Sequence, residues 1–93
     1  MIVSFRDRNT EKLFNRQRVA KFDSIADQAR RRLAALNSIE TLTELYNVAG
    51  YRLERLKGNR KGQYSIRINL QYRICFEWKD NSAYDVEITD YHD

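Results

Sequence analysis

Between Tyr64 and Ile88 apolar and polar residues alternate with a period of two. Tyr64, Ile66 and Ile68, then Tyr72, Ile74, Phe76 and Trp78, then Tyr84, Val86 and Ile88 occupy one phase. Ser65, Arg67 and Asn69, then Arg73, Cys75 and Glu77, then Asp85, Glu87 and Thr89 occupy the other. Successive side chains of an extended chain point to opposite faces, so each run predicts a strand with one apolar face. Short turns at Asn69–Gln71 and Lys79–Ser82 join the runs into an antiparallel meander. The second phase puts Arg67 and Arg73 on adjacent strands of the opposite face, which is expected to be open, concave and basic.

The first half of the chain carries a different period. Ile25, Ala29, Leu33 and Leu36 share one face of a helix predicted from Ser24 to Leu36, with Ser24 as its cap and Asp27 in the first turn. Asn9 to Arg16 predicts a shorter helix, capped by Asn9 or Thr10 and contacting the core through Leu13 and Phe14. Ile2 to Phe5 reads as a first strand, and Ile39, Leu42 and Leu45 mark a short turn or helix ending near Asn47. Arg30, Arg31 and Arg32 wrap most of a helical turn, either as a solvated face or as a contact surface for RNA or an acidic partner. The apolar sheet face needs a cover, and the amphipathic helices are available to supply it. The expected fold class is α+β, with N-terminal helices packed on one face of a small, mainly antiparallel sheet.

Composition narrows this picture. Ninety-three residues, 42% hydrophobic and 32% charged with no proline, predict a single domain spanning 1–93. No apolar run approaches a signal peptide or a membrane span, so the protein is expected in the cytoplasm. One cysteine, Cys75, and one histidine, His92, exclude an internal disulfide and a zinc site. The formal charge of +4 is segregated along the chain. From Arg52 to Arg73 seven bases (Arg52, Arg55, Lys57, Arg60, Lys61, Arg67 and Arg73) face Glu54 alone, whereas Lys79 to Asp93 is acidic. Gly58 and Gly62 frame a basic turn inside the first block. Such a block suits a polyanion, because each phosphate it neutralises releases counterions; the alternative is a solvated surface whose charges balance.

The only histidine lies in the sequence Asp90-Tyr91-His92, just after the last predicted strand. Cleavage of RNA by its own 2′-OH requires removal of one proton, stabilisation of a crowded phosphorane and protonation of the leaving 5′ oxygen. An arginine fork matches phosphate oxygens and stays charged, and an imidazole exchanges protons near neutral pH. Tyr91 suits stacking on an unpaired base, and Asp90 suits orienting the imidazole or binding a ribose hydroxyl. A frayed, inert tail is the alternative. No phosphate loop, nucleophile elbow or paired-carboxylate motif competes.

Taken in order, Gly50-Tyr51-Arg52-Leu53-Glu54-Arg55-Leu56-Lys57-Gly58-Asn59-Arg60, Tyr64-Ser65-Ile66-Arg67-Ile68-Asn69, Tyr72-Arg73-Ile74-Cys75-Phe76 and Asp90-Tyr91-His92 resemble the HigB toxins. That family belongs to the RelE/ParE superfamily of bacterial type II toxin-antitoxin systems, and the likeness extends over nearly the whole chain. The resemblance implies a RelE/ParE-like microbial ribonuclease fold and a ribosome-dependent endoribonuclease that cuts messenger RNA without a metal or other cofactor. It also implies a neutralising, operon-repressing helix-turn-helix antitoxin of the HigA type. It places Arg73, Asp90, Tyr91 and His92 in the active site and Lys57 in RNA handling. Arg52, Arg60, Lys61 and Arg67 join Lys57 as candidate contacts to RNA or the ribosome. Some members carry His where this chain has Glu54, so Glu54 is either a base in its own right or a partner for Arg52 or Lys57. A ParE-like topoisomerase inhibitor and a non-catalytic RNA-binding module are the rival readings on the same fold.

Overall fold

The computed structural model describes residues 1–90. It contains helices α1 (Arg8–Phe14), α2 (Ala26–Ser38) and α3 (Leu42–Tyr46), followed by strands β1 (Glu54–Arg55), β2 (Gln63–Arg67), β3 (Tyr72–Lys79) and β4 (Ser82–Asp90). The strands form one antiparallel sheet in the order β1-β2-β3-β4. The α+β class and the three-strand meander match the expectation from alternation. β1 was not foreseen, because its two residues are charged and exposed and carry no period.

Both meander turns have a local cause. Asn69 folds back on its own backbone, its Oδ1 accepting from the amides of Gln71 (2.8 Å) and Tyr72 (2.7 Å). Asp80 and Asn81 both adopt positive φ, 52° and 62°, the geometry that matches the twist of a two-residue hairpin.

Two expectations about the edges of the meander are corrected. Tyr84 does not share the core face with Val86 and Ile88. The register slips between Cys75 and Glu77, and Asp85, at φ 51°, is the extra residue on β4. A bulge of this kind reverses the phase beyond it, so Ala83 turns inward at 0% exposure and Tyr84 pairs with Glu77 on the other side. The N-terminal stretch is not a separate strand of the meander. It runs parallel to β4 through isolated bridges at Ile2–Ala83 and Phe5–Val86, and the Ser4 hydroxyl accepts from the Asp85 amide (2.9 Å), satisfying the bulged peptide.

The helix starts also shift. Asp7 caps α1 by accepting from the Thr10 amide (3.1 Å). Thr10, expected as a cap, is instead fully buried, and its hydroxyl accepts from the Ile88 amide (3.0 Å), tying α1 to β4. Ser24 lies in a 3-10 turn, Ala20–Ile25, that leads into α2, and α2 has no side-chain cap. The predicted helix face is correct in full: Ile25, Ala29, Leu33 and Leu36 are each 2% exposed or less and pack with Leu13, Ile66, Ile74, Phe76, Val86 and Ile88. The arginine triplet divides. Arg30 donates to the carbonyls of Leu13 (3.1 Å) and Gln17 (3.3 Å), closing the end of α1, Arg32 lies over the Tyr51 ring, and Arg31 is exposed. Among the described residues no helix is long and apolar enough to cross a membrane.

Candidate active site

On the sheet face turned away from the helices, register aligns Glu54, Ser65, Cys75 and Glu87 across the four strands. A second row, two residues along, holds Arg67, Arg73 and Thr89. The alternation therefore assigned Arg67 and Arg73 to the correct face. It misjudged their depth. Arg73 is 4% exposed, so the face is not open at this point.

A guanidinium removed from water needs hydrogen-bond acceptors, and Arg73 has them. Its Nε donates to Ser65 Oγ at 2.7 Å. Its Nη2 donates to the Arg52 carbonyl at 2.7 Å and more weakly to the Ser65 carbonyl at 3.4 Å. Glu54 Oε1 stands 3.9 Å from Nη2, and the Glu54 side chain is about half exposed. Ser65 itself is fully buried. Arg52 presents its carbonyl from a left-handed backbone conformation, φ 45° and ψ 58°, which costs a residue with a side chain about 1–2 kcal/mol. Directly opposite Arg73 in the ladder sits Arg67. Two cations paired across strands repel, and an anion placed between them would relieve this.

The remaining basic residues fall into two groups. Lys57 and Lys61 are exposed on the loop between β1 and β2. Arg60, grouped with them from the sequence, is committed within the protein. Its Nη1 donates to Glu87 Oε1 at 2.6 Å and to Gln63 Oε1 at 3.0 Å, clasping the loop to β4. That bond holds the Arg60 guanidinium further toward its charged form. Arg55 lies over the Tyr64 ring and donates to its hydroxyl. A groove at the β1 edge is lined by Glu54, Arg55, Leu56, Lys57 and Arg60. Beneath the Arg60–Glu87 clasp, burial pushes the Cys75 thiol up from its ordinary range, while Thr89 Oγ1 at 3.4 Å opposes the shift.

Glu54 does not pair with Arg52 or Lys57. Among the described residues its ion-pair partner is Arg73. Asp90 stands opposite Tyr72 at the end of β4, adjacent in register to the Arg73–Thr89 pair, and its Oδ2 accepts from Gln71 Nε2 (3.1 Å). By alternation Asp90 belongs to the phase of Tyr72, not of Arg73, so the two residues share one end of the sheet but not one face. Tyr91 and His92 lie outside the described residues. Ser65 and the Arg52 carbonyl were missed in the sequence. The signal available for Ser65 was its position: a small hydroxyl residue on the arginine phase, one strand away from Arg73.

A small antiparallel sheet backed by helices is a fold shared with a toxin-antitoxin complex. Two structures of the YoeB-YefM complex from Staphylococcus aureus superpose with TM-scores of 0.57 and 0.58, each covering 100% of this chain and 99% of the matched one at 18% identity. The model of the RelE-like toxin of type II toxin-antitoxin system HigB matches residues 3–92, and the chain belongs to this family. It is 34% identical over 85 residues to Toxin HigB-1 of Vibrio cholerae serotype O1, covering 89% of this chain and 90% of that protein. It is 32% identical over 93 residues to Endoribonuclease HigB of Proteus vulgaris, covering 99% and 100%.

Proposed function

We propose that this HigB-family toxin is an endoribonuclease that cuts messenger RNA on the ribosome, in the cytoplasm, and is neutralised by a HigA-type helix-turn-helix antitoxin. The observation that carries the reading is Arg73. It is a permanently charged fork, fixed by 2.7 Å bonds from two of its nitrogens, at the end of the sheet where β4 terminates in Asp90.

Its role is to stabilise the charge that develops on the phosphorane as the 2′-OH attacks, a task for a preorganised cation. His92 protonates the leaving 5′ oxygen, and Glu54, a carboxylate whose Oε1 is 3.9 Å from Arg73 Nη2, serves as the base that takes the 2′-OH proton. Tyr91 stacks on an unpaired base, and Asp90 orients the imidazole or binds a ribose hydroxyl. Arg67, Lys57, Lys61 and Arg52 hold the backbone by charge. The identity to an endoribonuclease across the full length of both chains supports this assignment.

Mapping 5′ ends of cellular RNA after brief induction tests it. New ends within translated frames are expected, and His92→Ala or Arg73→Ala should remove both the ends and the growth arrest. Growth arrest with altered DNA supercoiling and no new ends would instead identify a topoisomerase inhibitor.

A further inference from the structure

Arginine side chains on sheets are ordinarily mobile beyond Cγ, yet a phosphorane is recognised only if the guanidinium plane stands at one angle and one depth. Resting on the ribonuclease reading above, we propose that Ser65 is a positioning residue for Arg73, working as one half of a two-point mount whose other half is the left-handed carbonyl of Arg52.

Three observations on unrelated parts of the chain converge on this. First, the Ser65 hydroxyl accepts from Nε, the nitrogen that hinges the fork, at 2.7 Å, while the Arg52 carbonyl accepts from Nη2 on the same edge. Two acceptors on adjacent nitrogens of a planar group fix its rotation about the Cδ–Nε bond as well as its place. Second, Ser65 is 0% exposed, so its hydroxyl has no water to bond and no solvent-exposed task. A hydroxyl buried in a strand otherwise filled by Ile66 and Tyr64 is unfavourable unless a specific partner uses it, and Arg73 is that partner. Third, Arg52 holds φ 45° although it is not glycine, an outlier of the kind that persists where the surrounding structure requires it. The peptide so turned delivers its oxygen to Arg73.

Ser65 touches no reacting atom in this scheme. It acts through the guanidinium, and the prediction is therefore a loss in the chemical step with substrate binding retained. Ser65→Ala removes the hydroxyl without adding volume, and Ser65→Thr restores it. The measurements are single-turnover cleavage of a message on programmed ribosomes, affinity for those ribosomes, the urea midpoint, and the Arg73 Nε–H resonance with its exchange rate in labelled protein. Ser65→Ala is expected to slow cleavage on the order of ten- to a hundredfold, the usual effect of a small misplacement, with ribosome affinity within twofold. The Arg73 Nε–H is expected to exchange at least tenfold faster in Ser65→Ala than in the parent, and Ser65→Thr should recover both rate and protection.

Cleavage by Ser65→Ala at the parent rate, or unchanged Nε–H exchange, would overturn the mount. So would a loss that appears equally in affinity and urea midpoint. Failure of the ribonuclease reading looks different: the parent protein would leave ribosome-bound messages uncut, or Arg73→Ala would cut as fast as the parent, while the Nε–H exchange of the Ser65 pair would still report whether the fork is mounted.

Discussion

The two faces of the central strands are buried to similar depth by different means. On the helix side Ile66, Ile74, Phe76 and Val86 are each 0% exposed beneath α1 and α2. On the other side Ser65, Arg73 and Cys75 are 0%, 4% and 1% exposed among hydrogen-bonded polar groups. The first face is held by packing, which tolerates no void but asks little of direction. The second is held by directed bonds, each of which fixes an angle. A protein that must both fold and place a cation has separated the two tasks across one sheet.

The strongest test of this separation removes volume from the packed face. Phe76→Ala leaves a large cavity among Tyr64, Trp78 and the aliphatic core and should destabilise the fold by about 3–5 kcal/mol, enough to leave much of a marginal domain unfolded. Urea denaturation reads it directly. A loss below 1 kcal/mol would mean that the helix-side face is not the one that carries stability.

Arg73→Ala comes next and tests the polar face. Because Arg73 is buried and hydrogen-bonded, its removal also weakens the fold. The change leaves Ser65 Oγ and the Arg52 carbonyl without their donor and should cost about 1–3 kcal/mol while the protein remains folded. Cleavage should fall far more than stability. If the two losses were commensurate, Arg73 would be a structural arginine, and the contrast between the faces would lose its functional meaning.

The depth of Arg73 marks the limit of what alternation reveals. Strand phase is local, so the faces of Ile74 and Arg73 were both legible from alternation. The helix stripe Ile25, Ala29, Leu33 and Leu36 was legible for the same reason. The bulge at Asp85 was not, because the hydroxyl that satisfies its peptide belongs to Ser4, 81 residues away in sequence. Nor was the depth of Arg73, which depends on the Arg52 carbonyl 21 residues earlier, or the commitment of Arg60 to Glu87, 27 residues later. Periodicity reports which way a side chain points. What waits for it there is set by the fold.

Arg60 supplies the third test, since it closes the polar face through a part-buried pair. Arg60→Ala should destabilise by about 1 kcal/mol, between the values for a surface pair and a fully buried one. Ribosome affinity should change less than for Lys57→Ala, whose ammonium is exposed, and its salt dependence should stay close to the parent's. The reverse ranking would restore Arg60 to the RNA-binding group and open the clasp.

The smallest effect is a pH dependence, and it distinguishes the two faces by proton rather than by volume. Burial pushes the Cys75 thiol up, against the opposing bond to Thr89 and the nearby charge of Arg60. In the unfolded chain the same thiol loses its proton at its ordinary, lower pKa. The folded state therefore binds that proton more tightly, and its contribution to stability is fully present below the unfolded value and is lost as pH rises through the folded one. Urea midpoints for the parent and for Cys75→Ala, taken at neutral pH and again above the ordinary thiol range, isolate this contribution, because the two proteins differ only at that thiol. The parent should lose more stability than the variant across that step. Equal losses would mean that Cys75 ionises as freely in the folded protein as in the unfolded chain, and that the polar face is not sealed from water as the apolar one is.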